Sequence, residues 1–179
     1  MEADDPRWKA CCAMALRTLQ MCAHETYMDC PYYERLQYVG DTRIQMLVSY
    51  VVSSDTRLPR KTLAMLRNSI DSVFGLMRCS FPNTREQFIP PFALWWVGMV
   101  YDYALWRGDP DFIRSLMPDA RRIVESFVQK IDAGTGLLRS PDGWNFTDWV
   151  PAWTETTKSY RNWGVPPGGN PGDFSAVLN

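Results

Sequence analysis

Apolar residues recur along the chain in two different patterns. From about Pro6 to His24, Trp8, Cys12, Ala15, Leu19 and Cys22 return every three or four residues, with Arg7, Lys9, Arg17 and Gln20 mostly elsewhere. That spacing puts one apolar stripe on a helix. Leu63, Leu66, Ile70, Phe74 and Met77 repeat it, leaving Arg60, Lys61, Arg67 and Asp71 to solvent. So do Phe112, Leu116, Ala120, Val124, Phe127 and Ile131, opposite Asp119, Arg121, Arg122 and Glu125. Pro118 falls inside this last helix, where a missing amide and a ring clash predict a kink or a split. Two segments between them differ. One opens at Asp41 and continues Ile44, Met46, Leu47, Val48, Tyr50, Val51, Val52; the other opens at Pro90-Pro91 and continues Phe92, Leu94, Trp95, Trp96, Val97, Met99, Val100, Tyr101. Prolines suit a first helical turn. Apolar nearly all round, both segments predict helices buried on every side.

Amphipathic and wholly apolar helices therefore alternate, as they would if an outer ring packed on an inner ring. Connections from outer to inner helices are long (25–40, 79–89 and 133–172), while those from inner to outer, such as 55–59 and 108–110, are short. With antiparallel neighbours, every long loop falls at one end of the molecule, where a site is expected. Gly164 to Gly172 is rich in glycine and proline and predicts irregular structure. From Asp173 to Asn179 the chain opens like another inner helix, with Asp173 or Ser175 as its cap, and stops within two turns. The expectation is a fragment.

Composition changes this picture little. The chain has 179 residues, is 46% apolar and carries a net charge of −1, enough for one domain with a core. Scattered Lys and Arg give no footprint for nucleic acid or an anionic membrane, and no apolar run approaches a membrane span. The cysteines, Cys11, Cys12, Cys22, Cys30 and Cys79, are odd in number and lack metal-type spacing. The first three share a helical run and are expected to be buried thiols. Free thiols favour a reducing compartment, though localisation stays open. His24 is the single histidine, so His24-Glu25 is no zinc motif, and neither a phosphate loop nor a nucleophile elbow occurs. No metal or cofactor is expected. Eight Trp, eight Tyr and eight Phe stand out. Most belong to the core; a subset lining a cleft would suit a carbohydrate.

The chemistry gathers in the first long loop, Asp29-Cys30-Pro31-Tyr32-Tyr33-Glu34-Arg35-Leu36-Gln37-Tyr38-Val39-Gly40-Asp41. It crowds three carboxylates and three tyrosines into thirteen residues. Aromatic faces can hold a pyranose, and carboxylic acids can protonate a leaving oxygen or bind hydroxyls. The stretch resembles the signature of the bacterial α-L-rhamnosidases of glycoside hydrolase family 78: Asp-Cys-Pro, Glu-Arg, an aromatic and Gly-Asp, matched here at Asp29 to Pro31, Glu34-Arg35, Tyr38 and Gly40-Asp41. The common form has Arg-Asp before the Glu and Gly-Trp after it, so this chain carries a variant one residue shorter. Phe88 to Phe92, Asp102-Tyr103, Gly108-Asp109, Thr135 to Leu138 and Trp144 to Trp149 also look like family positions. The resemblance implies an all-α (α/α)6 six-hairpin barrel, with residues 1–179 forming about the first half: five helices and the start of a sixth.

It also implies a glycosidase that inverts configuration and releases terminal α-L-rhamnose from glycosides, oligosaccharides or polysaccharides. Glu34 is the expected general acid. Tyr33, Leu36 and Tyr38 are expected to shield it, and Asp29 and Asp41 to keep its proton on and hold sugar hydroxyls. The plainer alternatives are a solvated Glu34 paired with Arg35 and an Asp41 that simply caps a helix. Arg35, Tyr38, Asp148 and Trp149 are expected substrate contacts, Trp149 as a platform; a tryptophan packed on the rim is nearly as good a reading. Trp95 or Trp96 could line the pocket, with both in the core the better reading. The base that activates water lies in the family's C-terminal half, and nothing here matches it. Two other functions stay open: another six-hairpin glycosidase, such as one for uronic acids, and a non-catalytic carbohydrate-binding remnant.

Overall fold

The structure is a computed structural model describing residues 5–154 and 163–174. The chain is all-α: α1 (Pro6–Cys22), α2 (Val39–Val52), α3 (Arg57–Arg67), α4 (Pro90–Arg107), α5 (Pro110–Val128) and a single turn, α6 (Pro151–Thr154). Proline occupies the first turns of α1, α4 and α5, and the carboxylates of Asp5 and Asp109 accept amide hydrogens at the starts of α1 and α5. Isolated bridges tie the loops: Ala23 to Tyr27, Tyr38 to Ser80, Ile70 to Met77, Ile131 to Leu138 and Arg139 to Phe174.

α4 is the central element and packs chiefly against α2 and α5. Trp96, Met99 and Tyr103 are fully buried on it, among Met46 of α2, Leu63 and Leu66 of α3, and Leu116 and Ile123 of α5. The Trp96 indole N–H donates to the Leu63 carbonyl at 3.3 Å, so the buried ring keeps its polar handle paired.

Several expectations need correction. α3 stops at Arg67 instead of running to Met77. Ser69 Oγ donates to the Leu66 carbonyl, and the Asp71 carboxylate accepts from the amides of Val73 and Phe74. These side-chain bonds compete with helical ones and turn the chain back onto the Ile70–Met77 bridge. α5 runs through Pro118 as one element but ends at Val128, before Ile131. α2 and α4 are buried on one side only: Ile44, Val51 and Val52, like Tyr101, Leu105 and Trp106, face solvent. α1 packs mainly through its C-terminal end. Cys22 is buried, Cys12 is half-buried and Cys11 is exposed, so the expected trio of buried thiols reduces to one. The expected helix at 173–179 lies largely outside the described residues.

Candidate active site

The three long connections converge on an open cleft. One side is acidic: Asp29, Glu34 and Asp41, with Tyr38. The other is apolar: Ile89 and Phe92, from the second connection and the start of α4, and Trp144, Phe146 and Trp149 from the third.

The acidic side is built by a loop closed at its base. The Asp29 amide donates to the Leu36 carbonyl at 2.9 Å, and the Leu36 amide donates back to Asp29 Oδ1 at 2.9 Å. One carboxylate oxygen of Asp29 thus holds the loop, on a residue that lines the cleft. Beneath it, buried Gln37 receives the Tyr27 amide and the Thr62 hydroxyl and donates to the Phe81 carbonyl at 2.8 Å. Arg35, the residue after the acid candidate, is left-handed at φ 52, a costly angle for a side chain other than glycine. Its guanidinium makes no ion pair among the described residues and Arg35 does not line the cleft, so the alternative of a Glu34–Arg35 pair is not what forms.

Glu34 is exposed, and Tyr33, expected to shield it, is 87% exposed and stacks edge-on with Tyr32. Tyr38 is what touches it: the phenol donates to Glu34 Oε2 at 2.7 Å. Asp41 sits in the first turn of α2 and does not cap it. The helix begins two residues earlier because the Val39 amide, an orphan donor, already pairs with the Cys79 carbonyl. Asp41 keeps solvent access, yet its carboxyl is held above the ordinary value. Displacement of water by surrounding protein is the main cause; its own amide opposes the rise, and Asp29, Glu34 and Asp148 add to it.

Spacing arguments missed most of the apolar side. The ring centroids of Trp144 and Phe146 are 4.9 Å apart and those of Phe146 and Trp149 5.0 Å apart, while Phe92 meets Phe146 edge-on. The Trp144 amide donates to the Phe88 carbonyl, and its indole to the Trp163 carbonyl at 2.9 Å. Gly164, at φ 68, lies under Phe146, and a Cβ there would come within 2.4 Å of the ring. Trp149 is 60% exposed on the cleft wall, and Asp148 lies outside the wall but near enough to act on Asp41. Trp96 belongs to the core, and Trp95 carries the Arg43 guanidinium at 4.7 Å; neither lines the cleft. No group of three metal-binding side chains occurs among the described residues, and no helix there is long and apolar enough to cross a membrane.

Residues 1–162 match the bacterial α-L-rhamnosidase six-hairpin glycosidase domain. The chain belongs to that family. Among solved structures, it is similar to a GH78 family rhamnosidase of Bacillus sp. GL1, with 27% identity and a TM-score of 0.75 over 84% of this chain. It is also similar to a rhamnosidase from Klebsiella oxytoca with rhamnose bound, with 31% identity and a TM-score of 0.71 over 82% of this chain. The chain spans 15% and 29% of those two structures. No curated protein sequence matches it. The helices thus form part of a six-hairpin glycosidase fold.

Proposed function

We propose that this chain carries the acid side of an inverting α-L-rhamnosidase site. The observation that carries the reading is the two-sided cleft, with Asp29, Glu34 and Asp41 facing an aromatic wall. Glu34 protonates the glycosidic oxygen, and its solvent access lets the proton be replaced. The second oxygen of Asp29 and the carboxylate of Asp41 accept sugar hydroxyls, and Trp149 offers its face to the ring. The apolar wall suits a deoxy sugar, and the Klebsiella oxytoca relative has rhamnose bound. The base that activates water from the opposite face lies outside these residues, so the chain alone is inactive. Arg35, off the wall, has at most an outer contact with the substrate.

The test is hydrolysis of alkyl and nitrophenyl α-L-rhamnosides by the full-length protein that carries this sequence, with Glu34→Gln beside it. The variant should lose about a hundredfold or more on the alkyl substrate and less on the nitrophenyl one, whose leaving group needs little protonation. Equal rates for variant and parent would reject Glu34 as the acid. Activity on another glycoside in place of rhamnosides would keep the acid and change the sugar.

A further inference from the structure

We propose that the Tyr38 hydroxyl is a positioning device for the acid: it fixes Oε2 of Glu34 and leaves Oε1 to carry the proton and deliver it. The inference rests on Glu34 being the acid. Glu34 stands on an exposed loop, on a side chain with three rotatable bonds, and an unrestrained carboxyl there would sample many orientations. Tyr38 is anchored where Glu34 is not. Its amide donates to the Leu36 carbonyl, its carbonyl accepts the Thr42 amide in the first turn of α2, and its backbone bridges to Ser80. The half-buried ring therefore lends a fixed donor, 2.7 Å from Oε2, to a group that has little fixed structure of its own.

The family signature asks for an aromatic ring at this position. Here that ring is Tyr38, whose hydroxyl donates to Glu34 while the residue lines the cleft. Burial and the neighbouring Glu34 push the phenol well above its ordinary range, so it stays a donor throughout the working pH range. Other groups whose charge bears on this corner are Asp29 on the same loop, Asp41 on α2, Asp148 from the third connection and the Cys79 thiol. All are acids. Arg35 adjoins Glu34 in sequence but does not line the cleft.

Tyr38→Phe in the full-length protein should lower kcat on an alkyl α-L-rhamnoside about tenfold, with KM nearly unchanged, as expected for a misplaced group. In a Glu34→Gln background, Tyr38→Phe should have no further effect. Replacing Tyr38 by 3-fluorotyrosine keeps both the ring and the donor and should hold kcat near that of the parent; this variant decides the matter if Tyr38→Phe folds poorly. A loss confined to KM, with kcat unchanged, would overturn the inference and leave Tyr38 as a ring for the sugar. So would an undiminished effect in the Glu34→Gln background. Full activity of Glu34→Gln alone is a separate result that rejects the acid assignment itself.

Discussion

Asp41 shows how the site sets stability against function. A carboxyl held above its unfolded value keeps its proton in the folded chain at pH values where the unfolded chain has lost it. The folded state then binds more protons, and stability falls as pH rises from about 4 through the folded value. Asp41→Asn removes that penalty. The variant should melt at a higher temperature than the parent at pH 7, the difference should vanish near pH 4, and rhamnoside hydrolysis should fall. Thermal melts across this range check it; a lower melting temperature at pH 7 would show that the carboxylate is stabilised in place. At this scale the carboxylates and Tyr38 were legible because the signature is long and each residue carries distinct chemistry. Trp144, Phe146 and Phe92 were not, because a tryptophan on a cleft wall and one in a core have the same sequence pattern. Arg35 is absent from the cleft lining and stands in a left-handed backbone, an angle that spacing does not report.

At the scale of elements, the site depends on how α2 meets α4. Gly40, in the first turn of α2, lies against the Phe92 ring, where a Cβ would come within 2.8 Å of Cζ. The ring cannot readily retreat, since it is buried and meets Phe146 edge-on within the apolar wall. Gly40→Ala should cost about 1–3 kcal/mol in chemical denaturation, the usual range for overpacking. It should also disturb Asp41, one residue on; an unchanged denaturation midpoint would mean that the ring moves freely. The same scale explains what helical periodicity mistook. Ile70, Phe74 and Met77 keep helical spacing, yet Asp71 and Ser69 bond to nearby backbone and end α3 at Arg67. Periodicity counts apolar positions and takes no account of local bonds that compete with the helix.

For the molecule as a whole, alternation of helix type and of loop length was enough to place three long connections at one end, where they form the cleft. Burial on every side was the part that did not follow. Ile44, Val51 and Val52 on α2 and Tyr101 and Leu105 on α4 are exposed, as is much of the α1 stripe, where Trp8 is 63% exposed. An apolar residue reports that a face seeks burial, but the partner that covers the face must be present, and within the described residues it is not. Exposed apolar patches beyond a few hundred Å² favour association. Expressed by itself, the 179-residue chain should therefore self-associate with rising concentration, seen by light scattering, and bind a hydrophobic dye. Ile44→Glu combined with Leu105→Glu should reduce both signals without lowering helix content, because neither side chain belongs to the buried core. A parent chain that stays monomeric and dye-silent at high concentration would mean that these faces are tolerated in water, and that the wholly apolar pattern of α2 and α4 answers to something other than a covering layer of helices.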